Sequence, residues 1–438
     1  MSLNLAEKIR NAGVVGAGGA GFPAHIKFRG NVETLIANGA ECEPLLAKDK
    51  AIMRYFAPQI VEGLELSSDW LSAKTTIVGI KSKNKDEIEA LKKTLPAQTQ
   101  IHLMADVYPA GDEFVLVYEA TGKLIPPGGI PLEIGCVVAN VETLYNIGLA
   151  AGDIPVTEKF ITVAGAVRNP CTFKIPIGTS FKECIDIAGG ATVSDYAILS
   201  GGAMMGELID DVSTPITKTT AGLIVLPKDH QQVKRRSLSQ EKLERVGASA
   251  CDQCYRCTDL CPRWILGYQI VPHEVMRSLQ FSGPRREEFS LQALLCIECN
   301  ICSLYACPED LDPKNICTGA KRKLMARGIR PDKSRPVNVH PLRSGRQVPT
   351  KLLTRKLGLS PYDTPAPYVG IIFEPQMVRI PLKQHAGTAA IPVVSVNDNV
   401  VKGQIIGDIA PDAIGAKVHA SISGKVASID KYVTIIKE

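Results

Sequence analysis

The sequence predicts a multidomain protein that joins α/β and α+β units, on three observations. Strand-like and helix-like runs alternate through roughly the first 155 residues, as in "TTIVGIK" (Thr75–Lys81) followed by "NKDEIEALKKTL" (Asn84–Leu95), the pattern of a layered α/β fold. Eight of the thirteen cysteines crowd between Cys251 and Cys307. About the last 70 residues read as short alternating runs separated by Asn-Asp, Lys-Gly and Ser-Gly turns, a mainly β unit. The expected units are 1–155, 156–230, 231–335 and 336–438.

In chain order, "MSLNLAEKIRNAG" reads as a short helix closed by Gly13 and has no apolar core of a signal peptide. "GVVGAGGAGFPAHIKF" follows, where Gly16, Gly18 and Gly21 spell G-x-G-x-x-G, with Glu41 about 20 residues on. A nicotinamide-dinucleotide fingerprint should follow a strand and open a helix; this one follows a helix and runs into Phe22-Pro23, so its context is wrong. From Phe160 the chain predicts two strands about an Asn-Pro turn, then a helix in "SFKECIDIAGG", then strands in "AILSGG" and "AGLIVLP". His230–Gly247 is charged and reads as a solvated linker or helix with its basic run facing water. "RPDKSRPVNVHPLRSGRQVP" reads as a second linker.

Composition narrows the function. Hydrophobic residues make up 45%, enough for several cores, and a net charge of +5 gives no case for nucleic acid. No apolar run reaches the roughly 18 residues of a membrane span. Nothing suggests export, so clustered cysteines point to metal rather than disulfides.

The cysteine block reads Cys251-x2-Cys254-x2-Cys257-x3-Cys261-Pro262, then Cys296-x2-Cys299-x2-Cys302-x4-Cys307-Pro308. Thiolates two residues apart on a turn converge on one iron–sulfur cluster, and in two-cluster ferredoxins the cysteine before proline serves the other cluster. The expected ligand sets are therefore Cys251, Cys254, Cys257 and Cys307, and Cys296, Cys299, Cys302 and Cys261. The alternative is a pair of zinc sites, which usually use separated C-x2-C pairs. The x4 spacing before Cys307 is expected to change a loop and not the ligand count. Cys42, Cys136, Cys171, Cys184 and Cys317 are expected to be structural.

Four segments carry a resemblance: "GAGGAGFPAHIKF", "NGAECEP" (Asn38–Pro44), "YPAGDE" (Tyr108–Glu113) and "VVANVETLYNI" (Val137–Ile147). They are similar, in the same order, to segments of the flavin-binding 51-kilodalton subunit of respiratory complex I. The resemblance implies an FMN site. Gly18, Gly19 and Gly21 would bring amides to the phosphate, and Lys27, Asn38, Glu41, Asn140 and Thr143 match positions that contact flavin. Phe22 would cover a ring, Glu43 and Glu113 would lie by the nicotinamide nucleotide path, and Tyr108 would be a further cofactor-binding residue. Phe22 could equally pack in the core, and Asn140 and Thr143 could cap a helix. Ala40, Cys42 and "GDEFVL" depart from the family pattern.

The single-cluster complex I protein lacks the second run of cysteines. A flavin-type domain, a soluble-ligand-binding β-grasp (SLBB) domain and a two-cluster ferredoxin-like domain together resemble the RnfC component of Rnf electron-transport complexes. "VRIPLKQHAGTAAIPVVSVNDNVVKGQIIGD" and "VHASISGKV" resemble that family's barrel-sandwich hybrid domain, which there comes first and here comes last. The tip "APDAIG" has no lysine to carry a lipoyl or biotinyl group, and His385 and His419 are expected to pack, not to bind metal.

The permuted order resembles the cobalamin reductases of propanediol-utilisation microcompartments. The resemblance implies NADH as donor, FMN, two 4Fe–4S clusters and a corrinoid as acceptor, reduced towards cob(I)alamin for adenosylation. It also implies an adenosyltransferase partner, a shell protein, and a cytoplasmic place inside a bacterial microcompartment. The alternatives are an Rnf-type electron-transport role with another acceptor and a non-catalytic iron–sulfur relay or scaffold.

Overall fold

The computed structural model describes residues 4–438. Helix α1 (Leu5–Asn11) opens the chain, capped by a reciprocal Asn4–Glu7 box, and Gly13 closes it in the left-handed region. The glycine loop then runs into one helical turn, α2 (Ala24–Lys27), before the first strand.

Strands β1 (Thr34–Gly39), β2 (Thr75–Lys81), β3 (Gln100–Met104), β4 (Val107–Tyr108) and β5 (Cys136–Asn140) follow. All but β4 form a parallel sheet ordered β3–β2–β1–β5. Among the helices that cover it are α3 (Ala57–Trp70), α4 (Glu113–Thr121) and α5 (Val141–Ala151). Alternation decides the two faces of the sheet. Leu35, Ala37, Val78, Ile80, Val137 and Ala139 share one core with α3 and α5. Ile36, Ile77, Cys136 and Val138 face the other way, onto α4. Asn38 and Asn140 are register partners at the carboxyl ends of β1 and β5. The chain leaves β1 for β2 on one side, and β5 lies on the other. The crevice outside such a switch point is where open α/β sheets bind ligands.

The next unit is a five-stranded sheet of β6 (Glu158–Gly165), β7 (Cys171–Pro176), β8 (Tyr196–Ser200), β9 (Glu207–Ile209) and β10 (Gly222–Pro227). Its order is β7–β6–β10–β8–β9, with α6 (Phe181–Ile187) on one face. The other face, through Ala197, Leu199, Ile224 and Leu226, shares a core with Cys299, Ile301 and Leu304. The grasp-like sheet thus holds the cysteine block.

Two linker expectations need correction. The basic run of His230–Gly247 is not a wet face. It forms α7 (Gln231–Arg236), where Arg236 donates to the carbonyl of Met204 (3.3 Å) and to that of Ala203 (2.5 Å). Arg235 donates to the carbonyls of Ser303 (2.7 Å) and Leu311 (3.1 Å). The guanidinium groups replace water at carbonyls that the cysteine block would otherwise bury unpaired. The proline-rich second segment is a strap. Lys333 pairs with Glu133 (2.8 Å), Arg343 pairs with Glu119, and β11 (Val348–Pro349) pairs antiparallel with β4.

After the strap, β12 (Met377–Pro381), β14 (Asn399–Val400), β17 (Gly424–Ile429) and β18 (Tyr432–Ile436) form one sheet. A second is built from β13 (Ile391–Pro392), β15 (Ile405–Asp408) and β16 (Val418–His419). Val378, Ile380, Ile406, Val418 and Val433 join the core of the first unit. His385 shares a hydrogen bond with the Thr388 carbonyl (3.0 Å), and burial lowers both histidines, His385 to about 4 and His419 to about 3.

Candidate functional site

The glycine loop lies at the switch point. Ala17 donates its amide to Thr143 Oγ1 at 2.9 Å, tying the loop to the first turn of α5. Gly18, Gly19 and Ala20 are exposed, and among the described residues their amides are not spent on backbone carbonyls. Gly19 has φ +110°, and a side chain built there would meet nothing within 4 Å. Open amides in such a turn suit an anion. Gly21 differs: it has φ +63°, and a side chain there would strike Thr219 at 2.8 Å and the His385 backbone at 3.2 Å. Its glycine is required by the two later units that press on the loop. Phe22 is exposed, not core.

The switch-point side chains form one network. Asn140 caps α5, accepting from Glu142 N (3.0 Å), and donates to Asp49 Oδ2 (2.8 Å). Asn140 therefore does cap the helix, whereas Thr143 in its first turn spends its hydroxyl on the loop amide of Ala17; both border the loop. Glu142 is buried with Lys48 (3.1 Å) and Lys159, and these cations hold its carboxyl low against the opposing effect of burial. Glu41 accepts from Asp49 N (3.3 Å); burial, then the charge of Asp49, push it up to about 7. Asn38 donates to the Gly111 carbonyl (2.9 Å), so the "YPAGDE" turn packs on the "NGAECEP" turn. Lys27 pairs with Glu113.

Glu43, expected by the nicotinamide path, and Tyr108, expected among the cofactor-binding residues, point elsewhere. Glu43 accepts from the amides of Met204 (2.8 Å) and Met205 (3.0 Å), in the turn between β8 and β9, and burial pushes it up to about 7. Tyr108 is buried and donates its hydroxyl to the carbonyl of Cys299 at 2.9 Å. The structure therefore gathers Gly18, Gly19, Lys27, Asn38, Glu41, Glu113, Asn140 and Thr143 at one rim, while Glu43 and Tyr108 face neighbouring units.

The eight cysteines surround two separate cavities, each of about 330 Å³ including the open space at its mouth. Cys251, Cys254, Cys257 and Cys307 line one. Cys261, Cys296, Cys299 and Cys302 line the other. None of them forms a disulfide. The two halves repeat in backbone: Gln253 and Tyr255 have φ +59° and +67°, and Glu298 and Asn300, at the same places between their cysteines, have +60° and +69°. Four non-glycine residues in the left-handed region are strained unless something over-determines them. Such turns point successive amides inward, as a sulfur-rich anion requires. Burial first, and then the charges of the neighbouring cysteines, push the thiols of Cys257 and Cys261 up to about 12, so a metal centre suits this donor set better than free thiolates do. The extra residue before Cys307 does not sit in a loop. It is absorbed in a π-helical turn, Cys302–Ala306.

Sequence reasoning passed over two participants. Cys317, on α8 (Pro313–Ala326), also lines the second cavity; hydrogen bonding with it holds the Cys296 thiol below its ordinary range. No spacing rule singles out Cys317. Arg263, next to Cys261-Pro262, is buried, pairs with Asp112 (3.1 Å) and lies 3.5 Å over the Phe114 ring. The set containing Cys299 thus faces the first unit through Tyr108 and Arg263. The set containing Cys307 lies beyond it, with Cys254 exposed.

Comparison with known proteins agrees with this layout. Models of four families match: the Nuo51 FMN-binding domain over 9–149, the SLBB domain over 160–208, the 4Fe-4S dicluster domain over 250–312, and the RnfC barrel sandwich hybrid domain over 364–438. The cobalamin reductases PduS of Salmonella typhimurium and Citrobacter freundii are each 41% identical over 436 residues, covering 99% of this chain and 96% of theirs. A component of the proton-translocating ferredoxin:NAD(+) oxidoreductase complex of Clostridium ljungdahlii is 35% identical over 261 residues, covering 58% of this chain and 54% of its own.

Proposed function

Because the chain belongs to the family of the cobalamin reductase PduS, we propose that it is an NADH-dependent oxidoreductase that passes electrons by way of FMN and two 4Fe–4S clusters to the cobalt of a corrinoid. The observation that carries this reading is the pair of four-cysteine cavities, one of them hydrogen-bonded through Tyr108 to the flavin-type unit. The full-length match favours it over an Rnf-type role, since the match to the Clostridium protein spans only 58% of the chain.

FMN, when bound, would supply the chemistry of accepting one hydride, and so two electrons, from NADH and releasing the electrons singly to 4Fe–4S clusters. The residues supply positioning and charge. The open amides of Gly18 and Gly19, with Lys27 nearby, suit the phosphate. Thr143 ties the loop to α5, Asn140 borders it, Asn38 holds the "YPAGDE" turn beside it, and Gly21 seats it against the later units. Glu41, held near neutrality by burial, can keep or release a proton close to pH 7. Phe22 is free to cover a ring. The Glu43 carboxyl is taken up by two amides, while Glu113, paired with Lys27, stays at the open rim. Cys251, Cys254, Cys257 and Cys307 would hold one cluster, and Cys261, Cys296, Cys299 and Cys302 the other.

An adenosyltransferase that takes the reduced corrinoid directly, and a microcompartment shell protein, belong to this proposal and rest on the resemblance. Among the described residues no helix is long and apolar enough to cross a membrane.

The test is anaerobic. Purified protein should hold about eight iron and eight acid-labile sulfides. NADH should bleach a flavin band and, with cob(III)alamin present, generate lower cobalt states. Two zinc ions with almost no iron, or no bleaching by NADH, would defeat the reading.

A further inference from the structure

A third cavity, of about 920 Å³ including its open mouth, lies against the outer cysteine set and away from the glycine loop. Cys307 forms part of its wall, and Tyr305 and Leu352 give it apolar surface. Arg256, Arg355 and Lys356 also line it, and no carboxylate does. Its far side is α9 (Thr350–Lys356), the helix that ends the strap.

Three features give this cavity a role. The cysteine set nearest the flavin-type unit is the one bonded through Tyr108, so the set with Cys307 is the outer end of the relay. A cationic lining without a carboxylate selects an anionic group. Apolar walls beside it suit an extended ring system. We propose that this cavity receives a phosphate-bearing corrinoid: its nucleotide-loop phosphodiester pairs with Arg256, Arg355 and Lys356, and its cobalt accepts an electron at the Cys307 edge. One electron leaves the reduced outer cluster, cobalt falls one oxidation level, and any displaced axial water passes to solvent. Donor and acceptor then use separate doors, so NADH and corrinoid need not exchange places. The inference rests on the corrinoid reading above.

Arg355→Glu/Lys356→Glu tests it, because both side chains are exposed and neither touches the glycine loop. Equilibrium dialysis with cob(III)alamin and with cobinamide, which lacks the phosphodiester, reads binding independently of turnover. The unaltered protein should bind cobalamin more tightly than cobinamide, increasingly so at low salt. The double variant should lose about tenfold for cobalamin and little for cobinamide. NADH should bleach flavin at the unaltered rate in both, which also certifies folding. Leu352→Glu, on the same wall, should weaken both ligands. Equal binding of both corrinoids by variant and unaltered protein, or equal losses for both in the double variant, overturns the cavity assignment alone. Flavin bleaching without reduction of any corrinoid by the unaltered protein overturns the functional reading, and this occupant with it.

Discussion

Glu41 and Glu43 stand two residues apart after β1, and burial pushes both up to about 7 for different ends. Glu41 faces Asp49; Glu43 seats two amides of the grasp-like sheet. An unfolded glutamate ionises near about 4.3. Between there and about 7, the folded chain keeps protons that the unfolded chain has lost, so stability falls as pH rises and then levels off. The buried histidines work in the opposite sense over much of that range. His25, His385 and His419 are held at about 4, about 4 and about 3, so raising the pH towards 6.5 adds stability. A difference measurement isolates the carboxylate. Glu43→Gln keeps one acceptor and removes the ionisation. Its melting temperature relative to the unaltered protein should climb from pH 4.5 to 7 and stay flat above, a gain of about 1–3 kcal/mol. A difference that does not vary with pH would show Glu43 to titrate normally. Nothing local reveals this role, because Met204 and Met205 lie some 160 residues further along the chain.

At the scale of elements, the cysteine turns were legible because each is built from neighbours. Spacing alone implies the turn, and Cys-Pro implies a ligand that points away. What spacing cannot show is how the longer second half keeps step with the first. The π turn at Cys302–Ala306 does so by widening one helical ring, which leaves the paired left-handed residues of both halves matched. The crossed assignment has a clear consequence. Cys261→Ser should remove the centre held by Cys296, Cys299 and Cys302 and spare the other, lowering iron from about eight to about four per chain. Its reduced-state electron paramagnetic resonance spectrum should match that of Cys299→Ser and differ from that of Cys254→Ser. A match to Cys254→Ser would mean that each half serves itself. The basic run of α7 was illegible for the opposite reason: a charged stretch reads as solvated until carbonyls from elsewhere close over it.

At the scale of the molecule, the cysteine block is held from two directions: by the "YPAGDE" turn of the first unit through Arg263–Asp112 and Tyr108–Cys299, and by Arg235 of α7. Arg263→Ala leaves the half-buried Asp112 carboxylate with only the cap amides of Phe114 and Val115, which costs about 1–3 kcal/mol. NADH should still bleach flavin in this variant. Corrinoid reduction should slow at least tenfold relative to bleaching, and proteolysis between residues 228 and 250 should quicken. Equal slowing of both steps would mean that the pair supports the flavin-type unit and not its union with the clusters.

The β unit that follows the strap meets the front of the molecule through Ala386 donating to the Gly21 carbonyl (2.9 Å), and through Lys218, which bridges the carbonyls of Gly13 and Lys417 (2.7 Å each). These bonds depend on surfaces meeting, not on which surface is synthesised first. A gene in which that unit had been spliced ahead of the glycine loop would encode the same seam, given a tether long enough to reach. Evolution can therefore shuffle the module from one end of the reading frame to the other while leaving the assembled machine unchanged.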